Sequence, residues 1–187
     1  MRSTTTPSAG ELARVVATVV VVVGTLAAML GVADAVPRWL GGVPAGIVRV
    51  GSVADAQKHV RAKLLLPPYF PDTLAWPPAR VEVLLGPPPA VVLGFTGRDG
   101  AGERLVIVQT LAGGPPPAEL WPAMTRLTSS LVTLSGGDAE LWRVLGADGA
   151  FWQELEITVG GRRVGLRSQG SIEDLVRMAR SLEHERP

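Results

Sequence analysis

Hydrophobic residues are distributed in two distinct ways along the 187-residue chain. Residues 15–32 form an uninterrupted apolar run of 18 residues, VVATVVVVVGTLAAMLGV, with Arg14 before it and Asp34 and Arg38 after it. Because about 20 apolar residues span a bilayer as a helix, the run lies at the lower limit of that length. Beyond it, apolar and polar residues alternate over a length typical of one globular domain.

The apolar run predicts a retained transmembrane anchor over residues 15–36, with residues 1–14 as a short cytoplasmic head and Trp39 at the level of the lipid headgroups. A cleaved signal peptide is the alternative, with residues 33–35 (Ala-Asp-Ala) as its cleavage site. The hydrophobic part of a signal peptide is typically about 7–15 residues, which is shorter than this run, and Asp34 is unusual in a cleavage site. We therefore favour the anchor. A buried core helix is less consistent with a run that is apolar on every face.

Basic residues on the two sides of the run set the expected orientation. Two arginines and the amino terminus precede it, whereas Arg38 and Arg49 follow it. This distribution slightly favours a cytoplasmic amino terminus, and so does the short head. We expect a single-pass protein of the cell membrane, with residues 37–51 as a stalk or first strand and residues 52–187 as an extracytoplasmic domain.

Two helices are predicted at the ends of this domain. Ser52 is a candidate N-cap for a short helix over residues 53–63, which must end before the two prolines that follow Leu66. Ser171 is a candidate N-cap for a second helix that continues to Leu182, with an apolar stripe at helical spacing along one side.

Short strands joined by glycine-rich turns are predicted between the two helices. They cover residues 81–85, 90–96, 105–110, 130–134, 139–145, 151–159 and 163–168. A bulge is expected within residues 151–159, and residues 119–127 are predicted as a turn of helix or an irregular segment. Because turns rather than helices join the strands, the pattern predicts an α+β fold, a curved antiparallel sheet with helices on one face.

Composition excludes several classes of function. The net charge is +1, whereas a nucleic-acid-binding domain normally carries a strongly basic surface. The chain contains 0 cysteines, which excludes disulfides, thiolate catalysis and cysteine-based zinc sites. Tryptophan at 76, 121, 142 and 152 either fills the core or lines an apolar groove.

The residues that carry chemistry do not form a recognised catalytic motif. His59 and His184 lack the spacing of a zinc-binding pair, and no phosphate-binding loop or nucleophile elbow occurs. We therefore predict no catalytic, cofactor-binding or metal-binding residues, and no enzyme activity.

Two carboxylate pairs and one arginine cluster lie on predicted strands. Asp138 with Glu140, and Glu154 with Glu156, each share one strand face. Glycoside hydrolysis would require two such groups on either side of a sugar-binding cleft, and a solvated sheet face is the simpler interpretation. The arginines at 162, 163 and 167 are likewise expected on a solvated hairpin, although anionic lipid headgroups are an alternative partner.

Four short motifs carry a family resemblance. They are VADAQ at residues 53–57, LPPYFP at 66–71, GSIEDL at 170–175 and ARSL at 179–182. This series resembles a domain of unknown function in extracytoplasmic parts of bacterial membrane proteins, including anti-sigma-factor-like regulators. Such domains have a helix, an L-P-x-Y-x-P segment, strands and a closing A-x-S-L helix, and more distantly they resemble periplasmic lipoprotein carriers. The resemblance implies no catalytic residues.

The sequence therefore predicts a membrane-anchored, extracytoplasmic, non-enzymatic domain. Residues 15–36 would contact the membrane, and the domain would bind a protein or envelope ligand in sensing, regulation or envelope maintenance. A carrier of lipid or another hydrophobic ligand is the alternative, and an envelope hydrolase requires two carboxylates to meet in a cleft. We expect a cytoplasmic head limited to residues 1–14 to be too short for a sigma-factor-binding domain.

Overall fold

A computed structural model describes residues 46–184 of the chain. The predicted anchor over residues 15–36 and Trp39 lie outside the described residues. Within residues 46–184, neither helix is both long enough and apolar enough to cross a bilayer.

One antiparallel sheet of eight strands organises the described residues, in the spatial order β1-β2-β3-β4-β8-β7-β6-β5. A short helix precedes most of the strands and a longer helix follows them, so the predicted α+β class is confirmed. In chain order the elements are β1 (Ile47–Arg49), α1 (Val53–Val60), β2 (Arg80–Leu84), β3 (Ala90–Thr96), β4 (Glu103–Thr110), β5 (Thr125–Leu134), β6 (Gly137–Leu145), β7 (Phe151–Val159), β8 (Arg162–Ser168) and α2 (Ile172–His184).

Strand bounds agree with the sequence-based prediction where a hydrophobic run is closed by turn residues, as in β3 and β7. The expected bulge in β7 is wrong, because the register of β7 does not shift in its pairing with either β6 or β8. Irregular register occurs instead between Phe95 and Thr96 in β3 and between Arg126 and Thr128 in β5. β1, at the end of the predicted stalk, pairs with β2.

Both predicted helix caps form. The Ser52 hydroxyl accepts a hydrogen bond from the Asp55 amide at 3.1 Å, and the Ser171 hydroxyl accepts one from the Asp174 amide at 3.1 Å. Hydrogen bonds from Ser52 and then Lys58 hold the pKa of the Asp55 carboxyl below its usual value. α1 ends three residues earlier than predicted, since Arg61 adopts a left-handed conformation with φ of 50°.

The two faces of the sheet are covered differently, and we name them the helix face and the loop face. On the helix face, α1 and α2 pack with buried side chains that include Leu155, Leu166 and Met178. On the loop face, Leu120 and Trp121 from the segment between β4 and β5 pack against neighbouring strands. The loop face therefore has a hydrophobic core of its own over part of its area.

Candidate functional site

A buried ion pair lies at the centre of the loop face. Arg167 Nε of β8 is 2.7 Å from Glu154 Oε2 of β7, and the two side chains are 5% and 4% exposed. Arg126 of β5 also donates to Glu154, at 3.1 Å. The expectation that Glu154 and Arg167 lie on a solvated surface is therefore wrong. Strand alternation does place them on one face, but the segment between β4 and β5 covers this part of that face.

Trp121 covers the Arg167 member of this ion pair from the loop side. The Arg167 guanidinium lies 3.7 Å from the centroid of the indole ring, and its Nη1 donates to the Pro122 carbonyl at 2.8 Å. Burial lowers the pKa of the Arg167 guanidinium, and Glu154 acts in the opposite direction. Glycine at 165 is required for this packing, because a Cβ there would lie 2.8 Å from Val108 Cγ1 and 3.1 Å from Trp121 Cζ2.

A polar cleft opens beside this cluster, where β6 and β7 separate. Their pairing extends from Leu145 opposite Phe151 to Leu141 opposite Leu155 and then stops. Beyond that point β6 stays paired with β5, and β7 stays paired with β8. The resulting cleft has a volume of about 580 Å³. Its polar lining includes Arg126, Asp138, Glu140, Trp142, Glu156 and Arg163.

Charged groups in the cleft contact one another loosely. Glu156 lies 3.8 Å from Arg126 and 3.7 Å from Arg163, and the Arg126 guanidinium lies 4.7 Å from the centroid of the Trp142 ring. Asp138 accepts a hydrogen bond from Thr133 at 2.9 Å. With Glu183 also at its rim, the cleft is lined by two arginines and four carboxylates. Its lining is therefore net acidic.

The structure brings together three of the four carboxylates that the sequence singled out. Asp138, Glu140 and Glu156 line the same cleft, whereas Glu154 does not line it. If the pairing of β6 with β7 continued at the same register, Glu140 would lie opposite Glu156. Two acidic side chains thus lie on opposite walls of one cleft.

The remaining candidate residues lie apart from this cleft. His59 is exposed on α1, where its Nδ1 donates to the Asp55 carbonyl at 2.8 Å. The side chain of His184 lies outside the described residues. In the described part of the chain, no group of three or more histidine, cysteine or acidic side chains is arranged to hold a metal ion.

A second surface is formed by the LPPYFP motif at residues 66–71. Phe70 packs against Phe95 with ring centroids 4.9 Å apart, and Trp76 stacks on Phe95 at 5.8 Å. Trp76 is 57% exposed, beside a cavity of about 470 Å³. The Tyr69 hydroxyl donates to Asp174 of α2, and this hydrogen bond raises the pKa of Tyr69. The motif therefore joins α2 to an aromatic surface.

Arg126 and Glu183 are charged cleft residues that the sequence analysis missed, and Trp142 was predicted only to fill the core or line an apolar groove. Arg126 lies within the segment predicted as irregular, and strand β5 in fact begins at Thr125. Trp142 alternates with the buried Leu141, which places it on the loop face. The alternation could have indicated its face, but not the separation of β6 from β7.

The chain was compared with known families, curated proteins and solved structures. No protein-family model matches it, and neither does any curated protein or solved structure.

Proposed function

We propose that the chain is a membrane-anchored, extracytoplasmic, non-enzymatic domain that binds a ligand or protein of the cell envelope, in sensing or envelope maintenance. Residues 15–36 would be its anchor, and the curved sheet would carry the binding site. The observation that supports binding is the cleft between β6 and β7, because about 580 Å³ falls within the range of about 300–1,000 Å³ common to ligand sites. The family resemblance supports the location.

The lining of the cleft indicates the chemistry of the ligand. Arg126 and Arg163 offer hydrogen-bond donors, while the more numerous carboxylates offer acceptors and a net negative charge. A ligand with hydroxyl or amide groups and at least one cationic group satisfies both sets. Amine-bearing saccharides and lysine-containing peptide segments have this combination.

Binding explains the arrangement of carboxylates better than hydrolysis does. A glycosidase requires one carboxyl group as acid and another as base or nucleophile, both aimed at the scissile bond. Here Glu156 is shared between two arginines. A hydrolase would be recognised by cleavage of a saccharide, whereas a binding domain would leave the saccharide intact.

A lipid-carrier function ranks second. It requires an apolar cavity between the sheet and the helices, and in the described residues Leu155, Leu166 and Met178 fill that space with no exposed surface. Co-purified lipid detected by native mass spectrometry would reverse this ranking.

The cleft proposal predicts charge-dependent saccharide binding. The full chain should bind a glucosamine tetramer more tightly than the neutral N-acetylglucosamine tetramer, because only the former carries amines that pair with Glu140. Replacement Glu140→Gln should weaken binding of the glucosamine tetramer about tenfold or more, the value of one charge-assisted hydrogen bond. Isothermal titration measures both constants.

A matched replacement tests whether this effect is specific to the cleft. Glu173→Gln removes another exposed carboxylate, on α2, and should leave binding unchanged. Equal affinity for the two tetramers, together with an unaffected Glu140→Gln variant, would contradict the proposal. Cleavage of either tetramer that is lost in Glu140→Gln would instead identify an enzyme.

The location is tested separately by fractionation and protease protection of a carboxyl-terminally tagged full chain. We expect the tag in the membrane fraction at full length, and we expect protease added from the extracytoplasmic side to remove it. A shortened, soluble product would indicate a cleaved signal peptide. Protection of the tag in intact cells would reverse the orientation.

A further inference from the structure

The outer edge of β5 is the longest unpaired strand edge in the described part of the chain. β5 has 10 residues, whereas β1 at the opposite edge of the sheet has 3. Among residues 46–184, β5 pairs only with β6. A strand edge of this length is a template for another strand unless charge, proline or a bulge blocks it.

The blocking features of this edge lie at its two ends. The irregular register at Arg126 disrupts one end, and Arg180 of α2 donates to the Thr133 carbonyl at 2.9 Å near the other. Residues 128–134, which include Thr133, read TSSLVTL and contain neither charge nor proline. The middle of the strand is therefore open to pairing.

Backbone geometry shows which residues face outward at this edge. Leu134 lies opposite Gly137 across the tight turn that closes the hairpin, so the backbone groups of Leu134, and of every second residue before it, point towards β6. Those of Ser129, Leu131 and Thr133 then point away from the sheet. The side chain of Leu131 lies on the loop face and is 71% exposed.

We propose that a second copy of this chain pairs antiparallel with β5, about a twofold axis at Leu131. In this register Leu131 lies opposite Leu131 of the second copy, and Ser129 lies opposite Thr133. All three have outward-pointing backbone groups, so each opposed pair exchanges hydrogen bonds. The Thr133 carbonyl, which already accepts from Arg180, would use its second lone pair for the amide of the second copy. Because directly opposed residues share a sheet face, the pairing joins the two sheets into one and covers the exposed leucine.

Charge and symmetry favour a second copy over a different partner. A twofold interface must be self-complementary. Residues 128–134 contain no charged side chain, so pairing with a second copy would not bring like charges opposite each other. The two Arg180 side chains, each near a Thr133, would be separated by about four residues along the strands, roughly 13 Å. Both polar clefts would open on the same side of the joined sheet, about 19 Å apart.

Strand pairing over seven residues is smaller than a standard protein interface, so the dimer should be reversible. Chemical trapping is therefore the suitable test. The chain contains 0 cysteines, so a single introduced cysteine reports only on its own position. Opposed residues of a hydrogen-bonded antiparallel pair have Cα atoms about 5.5 Å apart, a separation that a disulfide spans.

We expect Leu131→Cys in the full chain, reconstituted in lipid vesicles, to form an intermolecular disulfide at least tenfold faster than Ser130→Cys. Ser130 is a matched control because it is exposed on the same strand but lies opposite Val132 in the proposed register. A mixture of Ser129→Cys and Thr133→Cys chains should give mixed dimers. The measurement is non-reducing electrophoresis after mild oxidation.

Equal rates for Leu131→Cys and Ser130→Cys would overturn the proposal. Leu85→Cys is a second control, because Leu85 is exposed directly after β2, far from β5 in the strand order. Trapping at Leu85→Cys as fast as at Leu131→Cys would also overturn the proposal. Neither result affects the saccharide titration, which measures the cleft of each copy. Failure of the dimer and failure of the proposed binding function are therefore distinguishable.

Discussion

Replacement of Arg167 by alanine should lower the free energy of unfolding by about 3–5 kcal/mol, the cost of removing one partner of a buried ion pair. The change leaves the buried Glu154 with only the partly exposed Arg126 as a partner. It also removes the hydrogen bond to the Pro122 carbonyl and the contact with the Trp121 ring. Urea denaturation of the full chain measures the loss.

Two further variants distinguish the effect of leaving a buried charge unpaired from the effect of removing any arginine. Arg104→Ala removes an arginine whose Asp99 partner is 3.4 Å away at the surface, and it should cost less than about 1 kcal/mol. The double variant Arg167→Leu with Glu154→Leu removes both buried charges, so it should be more stable than Arg167→Ala. A double variant that is less stable than Arg167→Ala would contradict this explanation.

The sequence predicted most strands of the sheet, because in most of them the hydrophobic pattern of the segment matches the residues that pair with a neighbouring strand. β3 and β7 are apolar or alternating segments closed by turn residues, and their predicted bounds are correct. β5 was predicted five residues too short, since residues 125–129 contain one apolar side chain and are exposed in the structure. These residues form a strand because they pair with β6. Their own sequence does not indicate that pairing.

The candidate site was less predictable than the fold. Glu154 and Glu156 are the same residue type, two positions apart on one strand face, yet Glu154 is buried and Glu156 is partly exposed. Glu154 pairs with Arg167, over which Trp121 from a distant part of the chain packs, whereas Glu156 lines the cleft. The cleft depends on where β6 and β7 stop pairing, which a pattern within either strand does not encode.

The aromatic surface around Trp76 rests on one buried ring, that of Phe95. Phe95→Ala should lower the free energy of unfolding by about 3–5 kcal/mol, the usual cost of removing a buried phenylalanine ring. Phe95 is fully buried, and both Phe70 and Trp76 pack against it. The cavity left behind would remove the support of the exposed Trp76 ring.

The matched control for this substitution is Phe151→Ala, which removes the same ring from an exposed position on β7. Phe151 is 51% exposed and contacts the Arg143 guanidinium at 4.5 Å from the ring centroid, so its removal should cost less than about 1 kcal/mol. Denaturant unfolding of both variants measures the difference. Similar decreases in the free energy of unfolding for the two variants would show that Phe95 does not support the core. The LPPYFP motif alone would then hold Trp76 in position.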